Sequence, residues 1–91
     1  MTVAVGALRP GVLPTDVLPA AAAAGAELTV VEASSVDVVA REARLTVRFT
    51  ADTVDEAITV AEHVVERIRT LAEVGRWQAT ERVGGRWFRR A

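Results

Sequence analysis

Hydrophobic and polar positions alternate most cleanly in the middle of the chain. Leu45, Val47 and Phe49 are separated by threonine and arginine, the period of two expected of a strand with one buried face. A second β-rich stretch precedes this one, so we predict a hairpin of two strands, Glu27–Val39 and Ala43–Ala51. The apolar phase shifts between the two strands, which indicates either a turn at Arg41-Glu42 or a bulge.

A long amphipathic helix follows the second strand. Thr53 and Glu56 form the pattern of a capping box, and Gly75 is placed to end the helix as its C′ residue. The predicted buried face is one apolar stripe at helical spacing, made of Val54, Ala57, Ile58, Ala61, Val64, Ile68, Leu71 and Ala72. Val60 and Val65 flank the stripe and widen it, which predicts a second contact beyond the sheet.

The N-terminal elements are shorter. Alternation predicts a first strand over Thr2–Leu8, followed by a loop over Arg9–Pro14 that is marked by glycine and proline. A short alanine-rich helix follows, with Thr15 or Asp16 as its N-cap and Gly25 as its stop.

The C-terminal segment, residues 76–91, predicts a β-hairpin. Its strands are expected at Arg76–Val83 and Arg86–Arg90. Gly84-Gly85 between them can supply the positive φ angles of a two-residue turn. In that register Arg82 lies opposite Trp87, as a possible cation–π pair, and Glu81 lies opposite Phe88.

The predicted order of elements is β-α-β-β-α-β with a terminal extension. The fold class that follows is α+β, a ferredoxin-like sheet with helices on one face and a C-terminal β-hairpin extension. At 91 residues the chain is expected to form a single domain, 1–91. A domain of this size buries a modest share of its surface, so further burial against a partner would stabilise it.

Composition excludes several classes of site. The chain has no cysteine, so it holds no disulfide and no thiolate metal site. The N-terminal apolar run is interrupted by Arg9, Pro10 and Pro14, unlike a signal peptide. No apolar run approaches the roughly 20 residues that span a bilayer. We therefore expect a soluble protein without a membrane partner, either cytoplasmic or incorporated in a particle.

Charge is distributed unevenly along the chain. Residues 1–75 carry eleven acidic residues and six arginines, whereas residues 76–91, the basic tail, carry five arginines and one acid. A basic tail on an acidic body suits association with a copy of the chain or with another protein subunit. The interface residues we predict there are Trp77, Arg82, Arg86, Trp87, Phe88, Arg89 and Arg90.

No group of residues predicts catalysis. His63 is the single histidine. Glu62 and Glu66 supply carboxylates near it, but one histidine with surface acids makes neither a catalytic base with a substrate pocket nor a full set of metal ligands. Ser34 and Ser35 lack the glycines of a nucleophile elbow. The sequence thus predicts no catalytic residue, no metal site and no cofactor.

The passage from Leu45 through Ile68 resembles the strand-then-helix passage of small tail-terminator and tail-completion proteins of long-tailed bacteriophages. The strand ends in a short polar turn, and the helix opens with the acidic-alanine step Asp55-Glu56-Ala57. The resemblance covers about a third of the chain. It implies a non-enzymatic, ring-forming subunit that joins its neighbours through strands and charge.

We therefore expect a structural or assembly subunit that forms a homo-oligomer through strand edges and the basic tail. One alternative is a small dimeric α+β-barrel enzyme or ligand-binding module, similar to monooxygenase or cyclase domains, with Trp77 or His63 at the mouth of a pocket. The other is a nucleic-acid-binding module in which Trp87 and Phe88 stack on bases. The slightly acidic net charge of −1 disfavours the nucleic acid.

Overall fold

A computed structural model describes residues 1–83 and 86–91, without the side chains at positions 82, 83 and 86. The elements in chain order are β1 (Thr2–Leu8), α1 (Pro14–Ala26), β2 (Val31–Val39), β3 (Glu42–Phe49), α2 (Val54–Arg69), β4 (Ala72–Gln78), β5 (Thr80–Val83) and β6 (Arg86–Arg89).

The first four strands form one antiparallel sheet in the order β2-β3-β1-β4. Strands β1 and β3 lie in the centre, and β2 and β4 are the edges. Strands β5 and β6 pair with each other as a separate two-stranded sheet. The described residues are therefore α+β, and the predicted class is confirmed at that level.

Both helices pack on the same face of the four-stranded sheet and on each other. The alternation of β3 is confirmed, because Leu45 and Val47 are buried and Arg48 is exposed. The core combines this face with the inner faces of both helices; it consists of Met1, Val3, Val5, Val17, Ala21, Ala24, Leu45, Val47, Val60, Ala61, Val64, Val65, Ile68, Ala72 and Ala79.

The turn of the central hairpin lies one residue earlier than predicted. Ala40 and Arg41 connect the strands, with φ angles of 51° and 64°, and Val39 pairs with Glu42. Two positive φ angles give a type I′ turn, whose twist matches that of the flanking strands. Neither residue is the glycine or asparagine that usually marks such a turn, which is why the pattern placed it wrongly.

Helix α1 differs from the prediction at both ends. Leu13 is its N-cap, and its backbone N–H donates to Asp16 Oδ2 at 2.9 Å. Gly25 does not stop the helix but lies buried inside it. A Cβ at this position would come within 2.9 Å of Val31 Cγ2, so the glycine serves close packing. Strand β2 accordingly starts at Val31 and not at Glu27.

Helix α2 begins as predicted and ends earlier. Thr53 Oγ1 accepts a hydrogen bond from the Glu56 N–H at 3.1 Å, while the Glu56 carboxylate accepts from the Asp52 N–H at 3.4 Å. The helix ends at Arg69, so the assignment of Gly75 as its C′ residue is wrong. Gly75 lies within β4, because pairing with β1 overrides the local propensity of this stretch.

The buried face of α2 is wide, as the flanking valines predict. Val60 and Val65, on either side of the stripe, are each 2% exposed, and Val64 and Ile68 between them are fully buried. Val54 is exposed because it lies in the first turn, at the end of the helix. The helix contacts α1 as well as the sheet, so a wide apolar face is used within the domain. The second contact predicted for this face is therefore supplied by the chain itself.

The predicted strand Arg76–Val83 is two strands. Ala79, which is buried in the core, separates β4 from β5. The predicted pairing of Arg82 with Trp87 and of Glu81 with Phe88 is confirmed in backbone register. The Gly84-Gly85 turn and the Arg82 side chain of the predicted cation–π pair lie outside the described residues.

Candidate interaction surfaces

The C-terminal hairpin, strands β5 and β6, is tied to the end of β4. The Arg90 N–H donates to the Ala79 carbonyl oxygen at 2.7 Å. Arg90 also donates from Nε to Glu81 Oε2 at 2.9 Å, and its guanidinium lies 5.5 Å from the centre of the Phe88 ring. These contacts join both strands of the hairpin, so it is a defined unit.

Trp87 joins this hairpin to the main sheet. Its indole is 52% exposed, and the Arg48 guanidinium of β3 lies 5.5 Å from the ring centre. Such a contact contributes about 0.5–1 kcal/mol at an exposed site. Sequence reasoning missed Arg48, because nothing local links it to a residue 39 positions later.

The predicted interface residues do not all share one surface. Trp87, Phe88, Arg89 and Arg90 are exposed on or directly after β6. Trp77 is half-buried on β4, opposite Val3, where it packs against the core. The backbone positions of residues 82 and 86 are on the hairpin, and their side chains are outside the described part of the chain.

A cleft of about 670 Å³ separates the hairpin from the junction of β3 and α2. Its lining includes Arg48, Phe49, Val54, Glu81, Trp87 and Arg90. Among the described side chains, the two arginines of the lining are already engaged, Arg48 with Trp87 and Arg90 with Glu81. The lining thus combines an aromatic wall with charges of both signs.

The second exposed surface is the edge strand β2. No strand of the four-stranded sheet pairs with its outer side. Val36 and Val38 are 51% and 75% exposed, and Val39 is also exposed. Exposed apolar residues on an unpaired strand edge are a template for pairing with another chain. The sequence pattern predicts contacts through strand edges in general, without marking these valines.

His63 lies beside an ion pair that joins the two helices. Arg67 Nη2 donates to Glu27 Oε1 at 2.6 Å, and this guanidinium holds the pKa of the Glu27 carboxyl below its ordinary value of 4.5. His63 Nε2 lies 3.6 Å from the same oxygen, beyond a normal hydrogen bond. His63 is in neither wall of the cleft, so it is not positioned to act there.

Within residues 1–83 and 86–91, no three histidine, aspartate or glutamate residues are grouped as ligands for a metal ion. Across the same residues, no helix combines the length and the apolar character needed to cross a membrane.

Comparison with known proteins gives no family for this chain. It matches no protein-family model, and no curated protein or solved structure is significantly similar to it.

Proposed function

We propose that this protein is a non-enzymatic structural subunit that assembles with copies of itself. The observation that carries the proposal is the unpaired edge of β2, where Val36 and Val38 are exposed. Natural domains usually protect such an edge with charge, proline or a covering element. β2 also carries the exposed acids Glu32 and Asp37, so its protection is partial, and its uncovered valines suit a chain that continues the sheet into a neighbour.

The C-terminal hairpin supplies a second contact of different chemistry. Trp87 and Phe88 are exposed there among arginines, a combination enriched in the energetically important parts of protein interfaces. The body of the chain, residues 1–75, has an excess of acidic residues. Attraction between the basic hairpin of one copy and the acidic body of the next would favour a repeated, head-to-tail arrangement.

We infer that the domain is ferredoxin-like. The sheet order β2-β3-β1-β4, with one helix connecting β1 to β2 and the other connecting β3 to β4, supports this topology. Among assemblies, a ring within the tail or head–tail region of a bacteriophage is the one that the resemblance of residues 45–68 implies. Such a ring would join its subunits through strand edges and charge, the two contacts proposed above.

The cleft beside Trp87 supports a second candidate, a ligand-binding module. Its volume of about 670 Å³ lies within the range of small-molecule sites. The cleft lies between the hairpin and the β3–α2 junction, and neither Trp77 nor His63 lines it, in contrast to the barrel-type pocket expected from sequence. A thermal-shift screen with aromatic ligands tests this candidate, and Trp87→Ala should abolish any shift that depends on the cleft.

Absolute mass by light scattering after size exclusion tests the assembly proposal. We expect a discrete oligomer whose population increases with protein concentration. A decrease of the mass at high salt would indicate that the basic hairpin contributes, because salt screens exposed charges beyond about 10 Å at 0.1 M. A monomer at every concentration and salt tested would overturn the proposal.

A further inference from the structure

The turn between β2 and β3 determines which backbone N–H and C=O groups of β2 bond to β3 and which point away from it. In a type I′ turn the residues flanking the two turn residues, Val39 and Glu42, are hydrogen bonded to each other. Bonded pairs alternate along an antiparallel ladder, so every second residue back from Val39 also bonds to β3. The residues between them direct their N–H and C=O groups toward the open edge; they are Ser34, Val36 and Val38.

These residues also share one face of the sheet. Val36 pairs with Leu45 and Val38 pairs with Ala43, so their side chains point to the side that carries the helices. Leu45 is buried there, yet both valines are largely exposed, because neither helix covers this end of the hairpin. Free backbone groups and uncovered apolar side chains therefore coincide on the same residues.

We propose that β2 pairs antiparallel with β2 of a second copy, with Val36 opposite Val36. This inference rests on the proposed self-assembly and specifies its contact. The two four-stranded sheets become one continuous sheet of eight strands, with all four helices on one face. Across the two-fold axis, Val38 of each copy lies opposite Ser34 of the other.

Hydrogen-bond alternation and charge select this register. Only residues with outward backbone groups can face each other in bonded pairs, which excludes every register in which the partner strand is displaced by one residue. The nearest allowed alternatives displace the partner strand by two residues, which moves the two-fold axis by one residue. Moving the axis to Asp37 would set the two Asp37 carboxylates directly opposite, and like charges in that position are destabilising. Moving it the other way, to Ser35, would set Val38 opposite Glu32.

The chosen register instead sets no acid directly opposite another along Val31–Val39. Asp37 of each copy lies opposite Ser35 of the other, and Arg44 of its own β3 lies on its other side. The axis at Val36 thus combines apolar residues in the centre with separated charges beside them.

Cysteine cross-linking tests the register, because the chain has no cysteine of its own. Directly opposite residues of a bonded pair have Cα atoms about 5.5 Å apart, so Val36→Cys should couple efficiently through a short thiol-to-thiol cross-linker. Val38→Cys is the matched control. In the proposed dimer its two Cα atoms are about 14 Å apart along the strands, although Val38 is the more exposed residue in the single chain.

We expect several-fold more cross-linked dimer from Val36→Cys than from Val38→Cys. A mixture of Ser34→Cys and Val38→Cys chains should also cross-link, more than either variant alone. Equal or greater cross-linking of Val38→Cys alone would overturn the register while leaving self-assembly intact. Light scattering on the same variants without cross-linker distinguishes the two failures, since a monomer throughout would overturn both proposals.

Discussion

Arg67 of α2 donates to the carboxylate of Glu27, the C-cap residue of α1, and so links the ends of two helices that are far apart in sequence. Neither residue was a candidate from the sequence pattern. Both side chains are partly exposed, with the Glu27 side chain at 44%. The ion pair is therefore in contact with solvent, which screens its contribution to the stability of the fold.

Acid should weaken this link. Because Arg67 lowers the pKa of Glu27 in the folded state, the contribution is fully present above the unfolded value of 4.5 and is lost as pH falls through the lower folded pKa. We expect Glu27→Gln to lower the melting temperature at neutral pH. As the pH falls, the melting temperature of this variant should decrease less than that of the unsubstituted protein. Thermal unfolding of both proteins from neutral pH into the acid range measures this. Glu66→Gln, which breaks an ion pair within α2, is the control and should leave the link between the helices intact.

A methyl group at position 25 should destabilise the domain. Gly25→Ala gains about 1 kcal/mol of helix propensity, but its Cβ would lie 2.9 Å from Val31 Cγ2, and overpacking costs about 1–3 kcal/mol. We expect a net loss of about 1 kcal/mol in urea unfolding.

The matched control for Gly25→Ala is Gly75→Ala, whose Cβ would make an ordinary 3.5 Å contact with Ala4 and should cost nothing. In a double-mutant cycle, Val31→Ala should relieve part of the Gly25→Ala penalty. A stabilised Gly25→Ala protein would contradict the proposed packing.

Truncation along α2 should follow the face observed in the structure. Val60→Ala removes two buried methyl groups and should cost about 2 kcal/mol, including the cavity term. Val54→Ala, within the predicted stripe but exposed, should change the free energy of unfolding by less than about 0.5 kcal/mol. Urea unfolding of both variants measures the difference, and equal costs would contradict the burial of Val60 and the exposure of Val54.

A substitution in the type I′ turn between β2 and β3 should stabilise the domain. Ala40 has a φ of 51°, a left-handed conformation that costs an ordinary L-residue about 1–2 kcal/mol. Asparagine tolerates this region, so Ala40→Asn should stabilise the domain by about 1 kcal/mol. Gly11, with a φ of 82°, provides the converse test. Gly11→Ala should destabilise the domain by a similar amount. Calorimetry on both variants measures these changes in the free energy of unfolding, and no change in either variant would contradict the positive φ angles at these two positions.

A charge at the centre of the β2 edge should prevent association. In the proposed dimer, Val36→Glu sets two carboxylates directly opposite each other, so the mass found by light scattering should fall below that of the unsubstituted protein. Val54→Glu makes the same substitution in the first turn of α2, where an acid suits the helix dipole, and should leave the mass unchanged. Circular dichroism should show both variants folded. An unchanged mass for Val36→Glu would exclude β2 as a contact.

Features set by neighbouring residues could be predicted. Alternation identified β3, the Thr53 hydroxyl marked the start of α2, and the register of β5 with β6 followed from the position of their turn. Each depends on periods or contacts within a few residues of the chain. The surface that carries the proposed assembly was predicted only as a class, strand edges, since exposure of Val36 depends on where the helices end.

The sequence by itself thus determined the α+β class, the order of elements through α2 and the starts of β1, α2 and β6, because these arise from local periodicity, capping and turn chemistry. The tertiary structure decided the role of Gly25 in packing, the placement of Gly75 in a strand, the contact of Arg48 with Trp87 and the uncovered valines of β2. These depend on residues far apart in sequence, whose packing and pairing energies exceed local propensities and leave no periodic signal in the chain.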